Sequence, residues 1–262
     1  MTETELMLTS ILNCRRVDLY VDPKPLDSFQ AKQLEEFQLQ RENHEPLQYI
    51  LGSCEFMECK LLVDPRALIP RLETEILVET ILEKICSTIS SNILDIGTGS
   101  GNISIALAKH LRECRVTAVD FSKGCLDLAA LNARMNSVSD RIQFIQSDLF
   151  SSLKPENFTA AFNIIVSNPP YISTDELDAL PPQLRYEPRA ALDGGEDGLS
   201  FYRRIFAECR PFLKPEGFLF LEIGAQQTNA LKKILASFSY LKLLDVRKDL
   251  CHRDRVVVIQ HV

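Results

Sequence analysis

The spacing of apolar positions changes along the chain. In residues 5–13, Leu6, Leu8, Ile11 and Leu12 fall at mostly helical intervals. A second helix is expected over residues 28–41, capped by Ser28, with Phe29, Leu34, Phe37 and Leu39 roughly on one side. Pro23 and Pro25 break the chain between them, and a short apolar turn, Leu47–Leu51, stops at Gly52. Residues 55–63 turn strand-like, a candidate hairpin closed by Asp64-Pro65. After Pro70 the texture shifts: residues 74–86 predict a helix with a wide apolar face, and short β-rich runs then alternate with helical ones. Strands are expected at Asn92–Ile96, Arg115–Asp120, Ile142–Gln146, Phe162–Ser167 and residues 218–223. Helices are expected at Asn102–His110 and residues 122–135, 200–212 and 226–238. Such alternation over about 170 residues argues for an α/β fold with a parallel, doubly wound sheet covered on both faces. Residues 241–246 and 255–260 have no helix between them and should pair antiparallel at an edge.

Composition narrows what this architecture can serve. The chain has 262 residues, 45% hydrophobic and 25% charged, which suits one large domain or one plus a small one and excludes disordered and fibrous classes. Lys and Arg total 29 against 36 Asp and Glu, a net charge of −7. Residues 1–45 alone hold nine acidic and five basic side chains. Binding driven by a nucleic-acid backbone wants a basic excess, so direct nucleic-acid binding is not expected. No apolar run approaches a membrane span, and the acidic start Met1-Thr2-Glu3-Thr4-Glu5 is unlike a secretion signal, so a cytoplasmic protein without membrane association is expected. Its eight cysteines form no Cys-x-x-Cys pair, and Cys54 and Cys59 lack partners for a zinc site. The four histidines are scattered. Reduced thiols and no metal are expected. Cys251-His252 could be read as a dyad, but neighbours on a strand point to opposite faces.

Chemistry concentrates at the ends of the predicted strands. Asp95-Ile96-Gly97-Thr98-Gly99-Ser100-Gly101 follows one strand and opens a helix, so glycines let the backbone approach a ligand while N–H groups face it. The spacing is G-x-G-x-G rather than the dinucleotide G-x-G-x-x-G, with Asn102 where the third glycine would fall, and no P-loop lysine follows. Asp120 ends the next strand, where it can accept ribose hydroxyls or cap the following helix with Ser122. Asp148 and Leu149 follow the third strand, placed to touch an adenine or to form a turn. The combination resembles the S-adenosyl-L-methionine site of Rossmann-like methyltransferases.

The fourth strand runs into Asn168-Pro169-Pro170-Tyr171. The prolines fix the backbone and remove two donors. Asn168 offers an amide oxygen and an NH2 group. A planar N–H2 nitrogen is a poor nucleophile because its lone pair is delocalised. Two acceptors, the Asn168 oxygen and the Pro169 carbonyl, can grip its N–H bonds and aim the lone pair at a methyl donor, while Tyr171 walls the planar group. No base is needed before transfer, and positioning supplies part of an upper range of ~7–11 kcal/mol. Adenine in DNA, guanine in RNA and glutamine in protein all carry such a group.

The whole chain resembles the peptide chain release factor N5-glutamine methyltransferases (HemK/PrmC type). Pro46 to Gly52 is similar to the family's P-x-Q-Y-I-x-G segment, and Phe56, Val63 and Leu68-Ile69-Pro70-Arg71 to its bridging hairpin and L-I-P-R-P-E-T-E motif. Leu72 stands for the usual second proline, before Glu73-Thr74-Glu75. Asn168 to Ile172, Glu187-Pro188, Ala191-Leu192, Gly194 to Leu199, Leu221 to Gly224 and Arg253-Asp254-Arg255 resemble its later signatures. Leu149 replaces a frequent aromatic residue, and Cys251-His252 departs from a glycine-containing turn. The resemblance implies a class I methyltransferase sheet with an antiparallel edge strand and a small N-terminal helical domain. It divides the chain into residues 1–52 for substrate recognition, a hairpin linker at 53–70 and a catalytic domain at 71–262. Methyl transfer from S-adenosyl-L-methionine, leaving S-adenosyl-L-homocysteine, to the Gly-Gly-Gln glutamine of class-1 release factors is implied, by a monomer. Asn168, Pro169, Pro170 and Tyr171 would be catalytic, with Asp95, Gly97, Thr98, Gly99, Ser100, Gly101, Asp120, Asp148, Leu149 and Asn168 on the cofactor. The alternative is an N-methyltransferase acting on an exocyclic amine of DNA or RNA. The block 193–198 is expected to order over the substrate, since Glu196 and Asp197 would repel phosphate.

Overall fold

The computed structural model describes residues 2–21, 23–85 and 91–262. Helix α1 (Glu3–Leu12) starts with a capping box between Thr2 and Glu5. A single turn that the periodicity did not predict, α2 (Asp18–Val21), follows. Helix α3 (Ser28–Glu42) is capped by Asp27 rather than Ser28: the Asp27 carboxylate accepts from the Gln30 amide at 2.8 Å while Gln30 reaches back to the Asp27 N–H. From Ser28, the reciprocal position would be Ala31, which cannot answer. The apolar turn is a short helix, α4 (Leu47–Leu51), ending on Gly52 at φ 69°.

The predicted hairpin forms from β1 (Ser53–Phe56) and β2 (Cys59–Leu62). Its two turn residues, Met57 and Glu58, both have positive φ, 46° and 60°, without the glycine or asparagine that usually supplies it. Neighbours hold the turn: the Met57 N–H donates to Glu75 at 2.9 Å, and Lys109 donates to the Glu58 carbonyl at 2.6 Å. Helix α5 (Leu72–Lys84) begins two residues earlier than expected, and the expected end at Cys86 lies outside the described residues. Leu72 is its first residue, where a proline would also fit.

The alternating elements are β3 (Asn92–Ile96), α6 (Asn102–His110), β4 (Arg115–Asp120), α7 (Lys123–Met135), β5 (Ile142–Gln146), α8 (Pro155–Phe158), β6 (Phe162–Ser167), α9 (Ser200–Glu208), β7 (Leu213–Glu222), α10 (Thr228–Leu235), β8 (Leu241–Lys248) and β9 (Asp254–His261). Helix α9 stops four residues short of expectation because Pro211 cannot continue it. Strand β7 begins five residues early, its start hidden in the sequence by Pro215 and Gly217.

Seven strands form one sheet in the order β5-β4-β3-β6-β7-β9-β8. The first five are parallel; β9 lies antiparallel between β7 and β8. The crossover through α10 carries β8 two places beyond β7, and the turn at 249–253 returns β9 into the gap. Cys251 and His252 sit exposed in that turn, not on a strand. Alternate strand residues enter two cores: Ile93, Ile164 and Val166 pack with α5 and α6, and Leu94, Ile165 and Leu219 with α9 and α10. The strand order reverses between β3 and β6, so the loops after these two strands diverge and open a crevice at the carboxyl edge.

Candidate active site

The loop after β3 forms one wall of that crevice. Gly97, Gly99 and Gly101 all have positive φ. The Gly97 and Thr98 amides donate to the Val119 carbonyl at 2.8 and 3.0 Å, which ties the loop to β4. At Gly101 a Cβ would meet Ala129 and Ile105 at 3.0 Å, so glycine there lets α6 pack on α7. Asp95 lies beneath the loop, fully buried, and is not on the wall of the crevice. Its Oδ2 accepts from Thr98 Oγ1 at 2.7 Å and Ser104 Oγ at 2.6 Å, while Oδ1 has no partner. Burial pushes its carboxyl up to about 6.

Asp120 ends β4 facing the loop. Oδ2 accepts from the Gly99 N–H and Oδ1 from the Ser122 N–H, both at 2.9 Å, leaving a lone pair on each oxygen. Burial raises its pKa. The cap of α7 is Ser122, which accepts from the Cys125 N–H. After β5, Leu149 is buried at φ 50°, its carbonyl accepting from Ser147 Oγ at 2.8 Å. Exposed Asp148 pairs with Arg204 at 2.9 Å.

The opposite wall follows β6. Asn168 donates from Nδ2 to Thr74 Oγ1 at 3.1 Å, and Thr74 donates to Glu222 Oε2 at 2.7 Å. Glu222 ends β7 and is buried, which pushes its carboxyl up to about 7. Behind the tetrapeptide, Gln227 donates to the Tyr171 carbonyl at 2.8 Å and to the Gly198 carbonyl at 3.2 Å. The Ile172 N–H donates to the Leu192 carbonyl, the Gly194 N–H to the Ile172 carbonyl and the Thr174 N–H to the Gly195 carbonyl. The block 193–198 is therefore docked against the tetrapeptide. Tyr171 is partly buried, with its hydroxyl pushed up to about 12.

The segment before α5 closes the third side. Glu187 accepts from the Ile69 N–H at 3.0 Å and pairs with Arg71, while Tyr49 of α4 donates to the Ala67 carbonyl at 2.8 Å. The enclosed cavity is about 700 Å3. Gly97, Thr98, Gly99, Ser100, Asp120, Asp148, Leu149, Asn168 and Pro170 line it; Asp95, Gly101, Pro169 and Tyr171 do not. Residues 66–71, Thr74, Phe121, Cys125 and Phe201, with Asp193 and Gly195 of the glycine-rich block, are also among the lining and were not predicted as site residues. Glu222 was not predicted as a site residue; its signals were its place in the Leu221 to Gly224 signature and a carboxylate ending the otherwise apolar run 218–221.

Among the described residues no cluster of His, Cys, Asp and Glu could hold a metal, and no helix is long and apolar enough to cross a membrane. The described cysteines are all free.

The family model of the PrmC N-terminal domain matches residues 1–52, and that of the Methyltransferase small domain matches residues 72–180. A release factor glutamine methyltransferase of Geobacter sulfurreducens is 42% identical over 259 residues, covering 97% of this chain and 87% of its own. Its namesake from Thermodesulfovibrio yellowstonii is 38% identical over 261 residues, covering 98% and 91%. Among solved structures, the hMettl16 catalytic domain aligns with a TM-score of 0.60 at 16% identity, over 90% of this chain and 82% of that one. A methyltransferase from Pyrococcus furiosus aligns with a TM-score of 0.56 at 16% identity, over 90% and 98%. These two likenesses concern the fold.

Proposed function

The chain belongs to the release factor glutamine methyltransferase family, and on that premise we propose that Asn168 and Pro169 hold a glutamine side chain of a class-1 release factor for methylation at N5 in its Gly-Gly-Gln motif. The methyl donor of this family is S-adenosyl-L-methionine, which when bound supplies a methyl group on a sulfonium. The crevice fits it. Its volume of about 700 Å3 is in the range of small-molecule sites, and a Cβ at Gly97 would meet nothing within 4 Å, so the turn is open to a ligand. We assign Gly97 to Ser100 to contact with the donor's backbone, Asp120 to the ribose hydroxyls through its two remaining lone pairs, and Asp148 and Leu149 to the adenine. Asp95 and Gly101 shape the loop from beneath.

On the substrate side, Asn168 Oδ1 and the Pro169 carbonyl accept the two N–H bonds of the glutamine amide. The two prolines offer no N–H to compete for those acceptors, and Tyr171 and Pro170 confine the planar group. Holding the amide in this way restricts rotation about its own plane, the kind of positioning worth part of ~7–11 kcal/mol. The proton leaves after the nitrogen has been alkylated, so the residues need supply no base beforehand. The single observation that carries this reading is the meeting of Asn168 and the glycine loop across one cavity at the strand-order reversal.

We also assign residues 1–52 to recognition of the release factor, 53–70 to the linker and 71–262 to catalysis. Val17, Tyr20, Val21, Phe29 and Leu39 are exposed on the helical part, and its acidic balance suits a basic partner. A monomer working in the cytoplasm without direct nucleic-acid binding is the accompanying proposal. The exocyclic-amine alternative is not favoured, given relatives named for a protein substrate. The test is mass spectrometry of a recombinant class-1 release factor after incubation with the enzyme and S-adenosyl-L-methionine. One added CH2, confined to the tryptic peptide with the Gly-Gly-Gln motif, is expected, and Asn168→Ala should lower its rate about a hundredfold or more. Methylation of DNA or RNA instead would overturn the reading.

A further inference from the structure

Thr74, near the start of α5, joins two groups on different strands: its Oγ1 is 2.7 Å from Glu222 Oε2 and 3.1 Å from Asn168 Nδ2. The direction of this chain of bonds follows from proton counting. While Glu222 is ionised its carboxylate has only lone pairs to offer, so the Thr74 hydroxyl gives its single proton to Glu222. Thr74 then has only lone pairs left for Asn168, and just one end of the side-chain amide, the NH2 group, can answer. The amide oxygen is thereby turned away from Thr74. We propose that Glu222 is a positioning residue which, through Thr74, fixes the orientation of the Asn168 amide so that an acceptor, rather than a donor, is presented to the substrate N–H.

The surroundings of Glu222 support this assignment. It closes the apolar run 218–221, is 1% exposed, and has no solvent to stabilise its charge. Its neighbours are the Tyr202 hydroxyl, which donates to its backbone carbonyl at 2.8 Å, Tyr171, and the charges of Arg255, Arg71 and Glu73. Burial raises its carboxyl, and a protonated Glu222 would have an O–H of its own to give to Thr74, so the orientation is fixed while Glu222 is ionised. Reversing the chain would place an NH2 against the glutamine NH2, two donors facing each other.

The inference rests on the reading of Asn168 as the acceptor of the glutamine amide, and its experiment separates the two. The variants are Thr74→Val, Thr74→Ser and Glu222→Gln, compared with wild type in kcat and KM for the release factor. S-adenosyl-L-homocysteine affinity by calorimetry, Tm, and the NMR resonances of the Asn168 side-chain NH2, assigned by their loss in Asn168→Ala, complete the readouts. Thr74→Val should lower kcat about 30-fold with KM and cofactor-product affinity within about threefold, and should shift the Asn168 NH2 resonances. Thr74→Ser, which keeps the hydroxyl, should restore both. Glu222→Gln should lower kcat about tenfold, because a glutamine NH2 can donate to Thr74 and let its hydroxyl turn to Asn168. A folded Thr74→Val with kcat within threefold of wild type and unmoved resonances overturns the proposal. If Thr74→Val does not fold, Glu222→Gln decides by the same threefold criterion, and failure of both to fold makes the pair structural and also overturns it. Failure of the underlying reading looks different: wild type would leave the release factor unmethylated, or Asn168→Ala would transfer at the wild-type rate.

Discussion

Gly198 lies directly under the carbonyl of Tyr171: a Cβ built on it would meet that oxygen at 2.4 Å and Gln227 Nε2 at 2.8 Å. The glycine-rich block is thus a buttress behind the tetrapeptide. Sequence reasoning expected it to order over the substrate; the backbone bonds from Gly194 to Ile172 and from Thr174 to Gly195 hold it on the tetrapeptide, with Asp193 and Gly195 on the cavity wall.

Gly198→Ala should therefore displace the tetrapeptide while leaving the glycine loop across the cavity in place. It adds both the clash and a side chain at φ 70°, a conformation that L residues adopt at a cost of about 1–2 kcal/mol. Methyl transfer should fall about a hundredfold, with S-adenosyl-L-homocysteine affinity within a few-fold by calorimetry. Gly52→Ala is the comparison, since φ is 69° there but nothing lies within 4 Å of the added Cβ. It should lose about 1 kcal/mol of stability and no activity. Equal losses of transfer in the two variants would contradict the buttress.

The hairpin turn supplies a stability prediction. Glu58 is exposed at φ 60°, and its contact with Lys109 is made through the backbone carbonyl, which any residue keeps. Glu58→Gly relieves the left-handed strain at the second turn position, where glycine is the favoured residue. A gain of about 1 kcal/mol, or about 2–4 °C in Tm, is expected by thermal denaturation. Met57 is left alone because its side chain packs on the core. An unchanged or lower Tm would show that the neighbouring bonds to Glu75 and Lys109 already over-determine the turn.

What the sequence made legible follows burial. Strands β3, β4, β5 and β6 were placed to the residue: β3, β4 and β6 are largely buried and read as apolar runs with polar ends, while β5, at the sheet edge, reads as a short β-rich run. The glycine loop and the tetrapeptide were legible because each is contiguous. Thr74 and Glu222 each stood in a stretch resembling a family signature, but their meeting was not legible: they are 148 residues apart, and only the fold brings α5 against the end of β7. Arg71 and Glu187 meet across 116 residues in the same way. The place of β9 between β7 and β8 left a trace that the strand pattern alone did not decode: its run 256–259 is continuously apolar and buried, whereas β8 carries charges and is mostly exposed at the edge.

Asp95 makes stability depend on pH in a direction opposite to that of a salt-bridged carboxylate. Its side chain is fully buried, both neighbouring hydroxyls converge on Oδ2, and Oδ1 has no partner. Burial, reinforced by the nearby charge of Asp120, lifts its carboxyl from 3.8 to about 6. Between those values the folded chain binds more protons than the unfolded one, so stability is fully present below about pH 4 and is lost as pH rises through about 6. The full effect is worth up to about 3 kcal/mol. Glu222 titrates in the same sense between 4.5 and about 7, so wild type alone cannot separate the two. Asp95→Asn isolates the aspartate by removing its charge at nearly constant size. Urea unfolding of both proteins, without cofactor, should show wild type losing up to about 3 kcal/mol relative to Asp95→Asn between pH 4 and 7. Parallel stability curves across that window would mean that the carboxyl keeps an ordinary pKa despite its burial, and that Thr98 and Ser104 stabilise its charge in full.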